Sequence, residues 1–284
     1  MDAPLKIGFK TSQTNVDWQM LLETWEAADE MPVFDSGWIF DHFVALGEGG
    51  SCLEGWTVIS ALAARARRLQ LGHLVLGNTY RDPALLARMA ATLDIVANGR
   101  FVVGLGAGWH EAEHAMYGWP LPPIGERITR MGNAVRVMKA IWSQPDGVTL
   151  DAPPYELRNA TCDPPPRTPG GPKVWLGTQG ERRGLRITAE LADGWNHNGH
   201  PGTFIQKRDA LLRHCQAVGR DPAEIEISSQ VFGREGPAQQ LSAARELARQ
   251  GVRHIVLVLP AADGPDGLRR LAREVAEPLR HAVG

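Results

Sequence analysis

Along the chain, short runs rich in β-branched and aromatic residues alternate with longer stretches whose apolar positions recur every three to four residues. The first pattern is that of strands and the second that of amphipathic helices. The strand-like runs are Lys6–Lys10, Ser36–Phe40, Leu69–Gly77, Phe101–Gly106, Lys173–Gly177, Gly194–Asn196, Ile225–Val231 and His254–Leu259. The helical stretches are Asp17–Glu30, Glu54–Arg67, Pro83–Val96, Glu126–Trp142, Arg182–Leu191, Pro201–Val218, Pro237–Gln250 and Gly267–Ala282. Pro83 falls at a first helical position, where a missing N–H does no harm. In Glu126–Trp142, the residues Ile128, Met131, Val135, Met138 and Trp142 lie on one stripe.

Strands separated by helices must pair in parallel, because each crossover carries a helix. Leu74-Val75-Leu76 and His254–Leu259 are almost continuously apolar, as strands covered on both faces should be. An open doubly wound sheet fits this alternation too, but a count of eight favours an α/β fold of the (β/α)8 TIM-barrel type, with residues 1–284 forming one domain. Between Gln144 and Pro172 eight prolines preclude a regular helix. This segment reads as an insertion between strands 4 and 5, lying over the barrel mouth.

Composition narrows the partners. Thirty basic residues nearly cancel 32 acidic ones, which gives no electrostatic case for nucleic acid or an anionic membrane. Cys52, Cys162 and Cys215 are too few and too scattered for a disulfide framework. The N-terminus carries no charged-then-apolar leader, and no apolar run approaches the roughly 20 residues that span a bilayer. The expectation is a cytoplasmic protein acting on a small molecule.

In a barrel, chemistry gathers on the loops after the strands' C-terminal ends. Asp41-His42 follows the second strand and offers an imidazole suited to proton transfer, or one that merely bonds backbone. After the third strand come Gly77, Asn78, Thr79, Tyr80 and the cation Arg81. The fourth ends in Gly104-Leu105-Gly106-Ala107-Gly108-Trp109, where glycines permit close approach to a flat ligand; Trp109 breaks the dinucleotide fingerprint. The fifth leads into Gly177-Thr178-Gln179-Gly180-Glu181-Arg182-Arg183, whose free N–H groups and arginines suit a phosphate, or whose arginines are solvated surface.

His110-Glu111-Ala112-Glu113-His114 matches the H-E-x-x-H pattern of zinc hydrolases. Tyr117 and Pro120 stand where the metzincin continuation needs Gly and His, and no acidic residue follows between Arg127 and Gln144. A third ligand is missing, so zinc hydrolysis at His110 and His114 is a remote alternative.

Taken in order and spacing, Phe40-Asp41-His42-Phe43, Gly77–Pro83, Gly99–Trp109 with Glu111, Glu113, Tyr117 and Gly118, Trp175–Glu181, and Ala192–Asn196 resemble the luciferase-like monooxygenase superfamily. The resemblance is strongest to its branch of deazaflavin-dependent (coenzyme F420) oxidoreductases. It implies a homodimer and a cofactor ring at the barrel's C-terminal mouth. The cofactor would lie against Asp41, His42, Leu74, Val75, Gly77, Asn78, Gly106, Gly108, Trp109 and the loop Gly177, Thr178, Gln179, Gly180, with the phosphate at the last. It also implies a non-proline cis peptide around Leu74-Val75, and catalytic roles for His42 and Asp41. Hydride would pass through the cofactor with His42 moving the proton, and Trp38, Trp109 and Trp195 would wall out water. The branch's sugar-phosphate dehydrogenases carry Glu where Trp109 stands, so sugar-phosphate oxidation is not expected; a compensating role for His110 or Glu113 stays open. The substrate pocket is expected from the loop Ala45–Leu53 and the insertion. Two further alternatives are an FMN-dependent monooxygenase using oxygen and a catalytically silent binding barrel.

Overall fold

The computed structural model describes residues 4–46, 49–198 and 200–283. Its strands are β1 (Lys6–Thr11), β2 (Ser36–Ile39), β3 (Gln70–His73), β4 (Leu76–Gly77), β5 (Phe101–Gly106), β6 (Val148–Ala152), β7 (Tyr155–Ala160), β8 (Lys173–Leu176), β9 (Gly194–His197), β10 (Glu226–Phe232) and β11 (His254–Leu259). Every pairing in the main sheet is parallel, in the order β3-β2-β1-β11-β10-β9-β8-β5, and β5 pairs back onto β3 to close it. β4 also pairs with β5, so β3 and β4 are one barrel strand interrupted at Leu74-Val75, whose peptide bond is cis. The barrel therefore has eight strand positions, as the alternation indicates.

The helices are α1 (Trp18–Glu30), α2 (Gly55–Arg65), α3 (Pro83–Val96), α4 (Glu111–Tyr117), α5 (Ile124–Ser143), α6 (Gly184–Leu191), α7 (Pro201–Val218), α8 (Pro237–Arg249), α9 (Gly264–Leu271) and α10 (Glu277–Val283). Local chemistry sets several starts. Asp82 caps α3 by accepting from Ala84 N at 2.8 Å, and Pro83 opens the helix. Glu54 caps α2 through the N–H groups of Trp56 and Thr57. Several boundaries differ from the sequence expectation by a few residues. α6 begins at Gly184, leaving residues 177–183 as a loop, and α9 begins at Gly264, with Pro265 in its first turn.

The strands' outward faces carry Ile7, Phe9, Ile39, Leu71, Leu105 and Leu257 into the layer beneath the helices. Inside the barrel, Trp38, Leu74, Val102, Trp175 and Val256 form a separate packed plug, with the Trp38 and Trp175 rings stacked 4.9 Å apart. Burying each such side chain contributes about 1.5–3 kcal/mol. At the barrel's N-terminal end the polar groups are paired. Glu226 binds Lys6 Nζ at 2.8 Å and His254 Nδ1 at 3.1 Å, and His254 Nε2 meets Ser36 Oγ at 2.7 Å. Burial raises the Glu226 pKa, but His254 and Lys6 outweigh it and hold the carboxyl well below its usual range.

The proline-rich segment differs from expectation. Val148, Ala152 and Leu157 are buried, which lets 148–160 form the antiparallel hairpin β6–β7. Asn133 Nδ2, on α5, donates to Pro153 O at 2.6 Å, and Arg88, on α3, donates to Asp163 O at 2.7 Å. The insertion thus runs down the barrel's flank along α3 and α5, and Tyr155 reaches the rim, where Asn78 Nδ2 lies 3.4 Å from its hydroxyl. Among the described residues, no helix is long and apolar enough to cross a membrane.

Candidate active site

The residues singled out after β2, β4 and β5 meet at one end of the barrel. Asp41 is buried, and Arg81 grips it with two bonds of 2.8 and 2.9 Å. Asp41 Oδ2 also accepts from Gly77 N at 2.9 Å, and Arg81 reaches on to Glu54 at 2.7 Å. Burial works against the Arg81 charge, yet Asp41 and Glu54 raise its pKa above the ordinary value. Both Asp41 oxygens thus brace the loop after β4, and the side chain is fully buried.

His42 is different. Its Nδ1 lies 3.0 Å from Glu113 Oε2, and among the described residues Nε2 has no hydrogen-bond partner. The ring is packed by Phe40 and Trp109, each 5.5 Å away between centroids, and by His110 at 5.7 Å. Glu113 stands on α4, fully buried. Its Oε1 accepts from Phe43 N at 2.6 Å and Val44 N at 3.1 Å, and its Oε2 also accepts from the Tyr80 hydroxyl. Burial raises the Glu113 pKa, but the bonds from Tyr80, Phe43 and His42 outweigh it and keep the carboxylate ionised. Burial and Glu113 push the Tyr80 phenol far up, so it stays a donor. An acceptor-only carboxylate at Nδ1 fixes the neutral His42 ring with its proton on Nδ1 and its lone pair on Nε2.

The same contacts dispose of the zinc motif's geometry. His110 caps α4, its Nδ1 accepting from Glu113 N at 3.0 Å. His114 places Nδ1 on His110 O and Nε2 on Thr79 Oγ1, each at 2.7 Å. Glu113, the motif's second acid, is the residue that grips His42.

Around the Leu74-Val75 bulge the glycines leave room for one side chain. A Cβ on Gly106 would lie 2.7 Å from Val75, and one on Gly177 would lie 2.8 Å from it. Gly108, with φ at +80°, packs against Thr79, and Asn78 N donates to Gly106 O at 2.9 Å. In the loop after β8, Thr178 Oγ1 and Gln179 Oε1 are buried without partners among the described residues, and Gly180 faces open space. Lys207 donates to Gln179 O at 2.7 Å, so α7 adds a cation here that the sequence pattern did not single out. These unmet polar atoms and this bulge fit a flat ring carrying a phosphorylated tail.

Of the three tryptophans expected as walls, Trp109 alone stands at the mouth, 62% exposed. Trp38 belongs to the plug inside the barrel. Trp195 is buried against Phe204 and supports the loop by donating to Thr178 O at 2.9 Å. In the loop Ala45–Leu53, Gly47 and Glu48 lie outside the described residues. A groove of about 1170 Å³ opens at the opposite end of the barrel, between Lys6, Lys139, Lys173, Asp193 and Glu226. Those five charges are paired with one another, and that end lacks the strand-end loops where barrels build active sites.

Comparison with known proteins identifies the family. The family model described as luciferase-like monooxygenase matches residues 5–277. A phthiodiolone/phenolphthiodiolone dimycocerosates ketoreductase of Mycobacterium sp. (strain JLS) is 34% identical over 63% of this chain, and the aligned stretch spans about half (47%) of that relative's length. An F420-dependent glucose-6-phosphate dehydrogenase of Kineococcus radiotolerans is 32% identical over 85% of this chain and 72% of its own. Among solved structures, an F420-dependent secondary alcohol dehydrogenase in complex with an F420–acetone adduct shares the fold, with a TM-score of 0.83 at 18% identity, covering 98% of this chain and 99% of that one.

Proposed function

The chain belongs to the luciferase-like monooxygenase family, and on that premise we propose that it is an oxidoreductase exchanging hydride between bound coenzyme F420 and a small alcohol or carbonyl compound. The observation that carries this reading is the His42–Glu113 pair, a buried carboxylate holding an imidazole by Nδ1 at 3.0 Å with Nε2 left free. That pair is built to move one proton at Nε2. Relatives named for F420 dependence, one of them 32% identical over 85% of the chain, favour the deazaflavin over FMN.

When bound, the deazaflavin supplies a ring carbon that accepts or gives up hydride without activating oxygen. The chain's own residues do the rest. Val75, framed by Gly106 and Gly177, is the floor proposed to support the ring. Thr178, Gln179, Gly180 and Lys207 are proposed to hold the phosphorylated tail, since they present unpartnered polar atoms, open space and a cation. His42 Nε2 takes the hydroxyl proton of an alcohol, or returns one to a carbonyl oxygen. Asp41, expected to share in catalysis, is assigned instead to positioning, because Arg81 and Gly77 occupy it. Trp109 lies edge-on to His42 and covers its ring with apolar surface, in place of the carboxylate of the sugar-phosphate dehydrogenases. A substrate of modest polarity suits that wall better than a sugar phosphate.

The test is to load the protein with reduced F420 and present a panel of small ketones and aldehydes, with and without oxygen. The proposal expects one of them to reoxidise the cofactor anaerobically, with no oxygen consumed. Reoxidation that needs oxygen, or that proceeds with FMN alone, would overturn it.

A further inference from the structure

β1 alternates in the way a barrel strand should, with Ile7 and Phe9 buried outward and Gly8 and Lys10 turned into the barrel. Lys10 is therefore a cation inside the barrel, at the level where the plug ends and the mouth begins. Its Nζ donates to Leu74 O at 2.7 Å and to Gln230 Oε1 at 2.8 Å. Gln230 passes the polarity on, donating to Asn196 Oδ1 at 2.7 Å, and Asn196 donates to Ser228 Oγ at 2.9 Å. Every one of these partners is neutral. Lys6, Lys139, Lys173 and Lys207 each lie within 4.0 Å of a carboxylate, and among the described residues Lys10 has no carboxylate that close. Burial pushes its pKa down to about 8, so holding the proton there is costly and an approaching negative charge would be welcomed. Leu74, whose carbonyl it holds, adjoins Val75, the proposed floor of the cofactor site.

Resting on the F420 reading above, we propose that Lys10 sets the charge preference of the bound ring, favouring the reduced cofactor over the oxidised one. The electron count gives the reason. As the alcohol's C–H bond breaks, the hydride carries two electrons and one proton into the ring, while the hydroxyl proton goes to His42. The ring thereby gains one unit of negative charge, and an unpaired ammonium beneath it stabilises that charge. The neighbouring cations Arg81 and Lys6 are already paired, Arg81 with Asp41 and Glu54 and Lys6 with Glu226.

The experiment measures dissociation constants of oxidised and reduced F420, anaerobically, for the wild-type protein and for Lys10→Met and Lys10→Arg. Lys10→Met should weaken the reduced form relative to the oxidised by roughly tenfold or more, which for a two-electron couple lowers the bound potential by about 30 mV. Lys10→Arg keeps the charge and should keep the wild-type ratio. Should the Met variant fail to fold, Lys10→Gln, which can still donate to Leu74 O, carries the same comparison. Equal weakening of both forms would make Lys10 a structural strut and overturn the proposal. A wild-type protein that binds F420 in neither state would sink the cofactor reading itself, a result distinguishable from failure of the lysine's role.

Discussion

Replacing Glu113 with Gln isolates the geometry on which the proposed chemistry depends. The two side chains are nearly the same size, and Glu113 is fully buried, so the change is one of hydrogen bonding and charge. Glu113 accepts from Phe43 N and Val44 N on one oxygen and from His42 Nδ1 and the Tyr80 hydroxyl on the other. The backbone donors cannot turn away, so the glutamine carbonyl must stay with them and its NH2 must face His42 and Tyr80. Tyr80 can rotate its hydroxyl to accept. His42 can avoid a clash of donors only by moving its proton from Nδ1 to Nε2. Exchanging bonds to a buried charge for neutral ones, and forcing Tyr80 and His42 to reverse theirs, should cost roughly 2–3 kcal/mol of stability. With the lone pair no longer on Nε2, alcohol oxidation should fall by about 10²–10⁴-fold. Imidazole ¹H–¹⁵N spectra, assigned with a His42→Ala control, report the tautomer directly, and turnover with F420 reports the consequence. A variant that keeps the proton on Nδ1, or keeps turnover within about twofold, would refute the reasoning.

Three other perturbations probe the supports. Arg81→Met leaves Asp41 buried without its partner and should cost about 3–5 kcal/mol by chemical denaturation, with part of the loss restored by adding Asp41→Asn; an additive double variant would contradict the bracing role. Glu226→Gln tests the network at the barrel's other end. Because the folded carboxyl is held below its ordinary value, its stabilisation is complete above the unfolded pKa near 4.5 and drains away as pH falls. Wild type should therefore exceed the variant by roughly 2 kcal/mol at pH 7, and the gap in Tm should narrow steadily as pH is lowered below 4.5; a gap independent of pH would refute the assignment. Gly106→Ala puts a methyl 2.7 Å from Val75 and should lower stability by about 1–3 kcal/mol through overpacking. Val75→Ala in the same chain should recover most of that loss, and no recovery would show that Val75 is not what the methyl meets.

Much of this could be read along the chain, and the reasons are local. The barrel was legible because each strand's apolar run and each helix's stripe is a short-range pattern, and because Asp82, Pro83 and Gly118 mark element ends chemically. The bulge at Leu74-Val75 was legible only through resemblance: the run Leu69–Gly77 reads as one strand, since no spacing marks where a strand breaks. The hairpin at Val148–Ala160 was obscured by flanking prolines, although Val148, Leu150 and Ala152 alternate as a strand should. In the site, His42 stood out by its place after a strand. What the chain order could not reveal was pairing at a distance. Asp41 and Arg81 are 40 residues apart, and His42 and Glu113 are 71 apart. Both pairs change the reading, Asp41 from catalysis toward bracing and Glu113 from a zinc motif to an imidazole's anchor. Lys10 carried a signal of its own, a lysine on the inward beat of a strand whose outward beat, Ile7 and Phe9, is apolar. The expected Trp38 and Trp195 walls failed because strand alternation alone does not tell the barrel's interior from its mouth.

The mouth around His42 and Val75 is proposed as a deazaflavin site, and titrating the apo-protein with F420 and, separately, with FMN decides the matter. Fluorescence quenching should show saturable, tight binding of F420, lost or weakened in Gly106→Val, with FMN binding at least tenfold more weakly. Binding of FMN alone, or F420 binding indifferent to the valine at position 106, would contradict it.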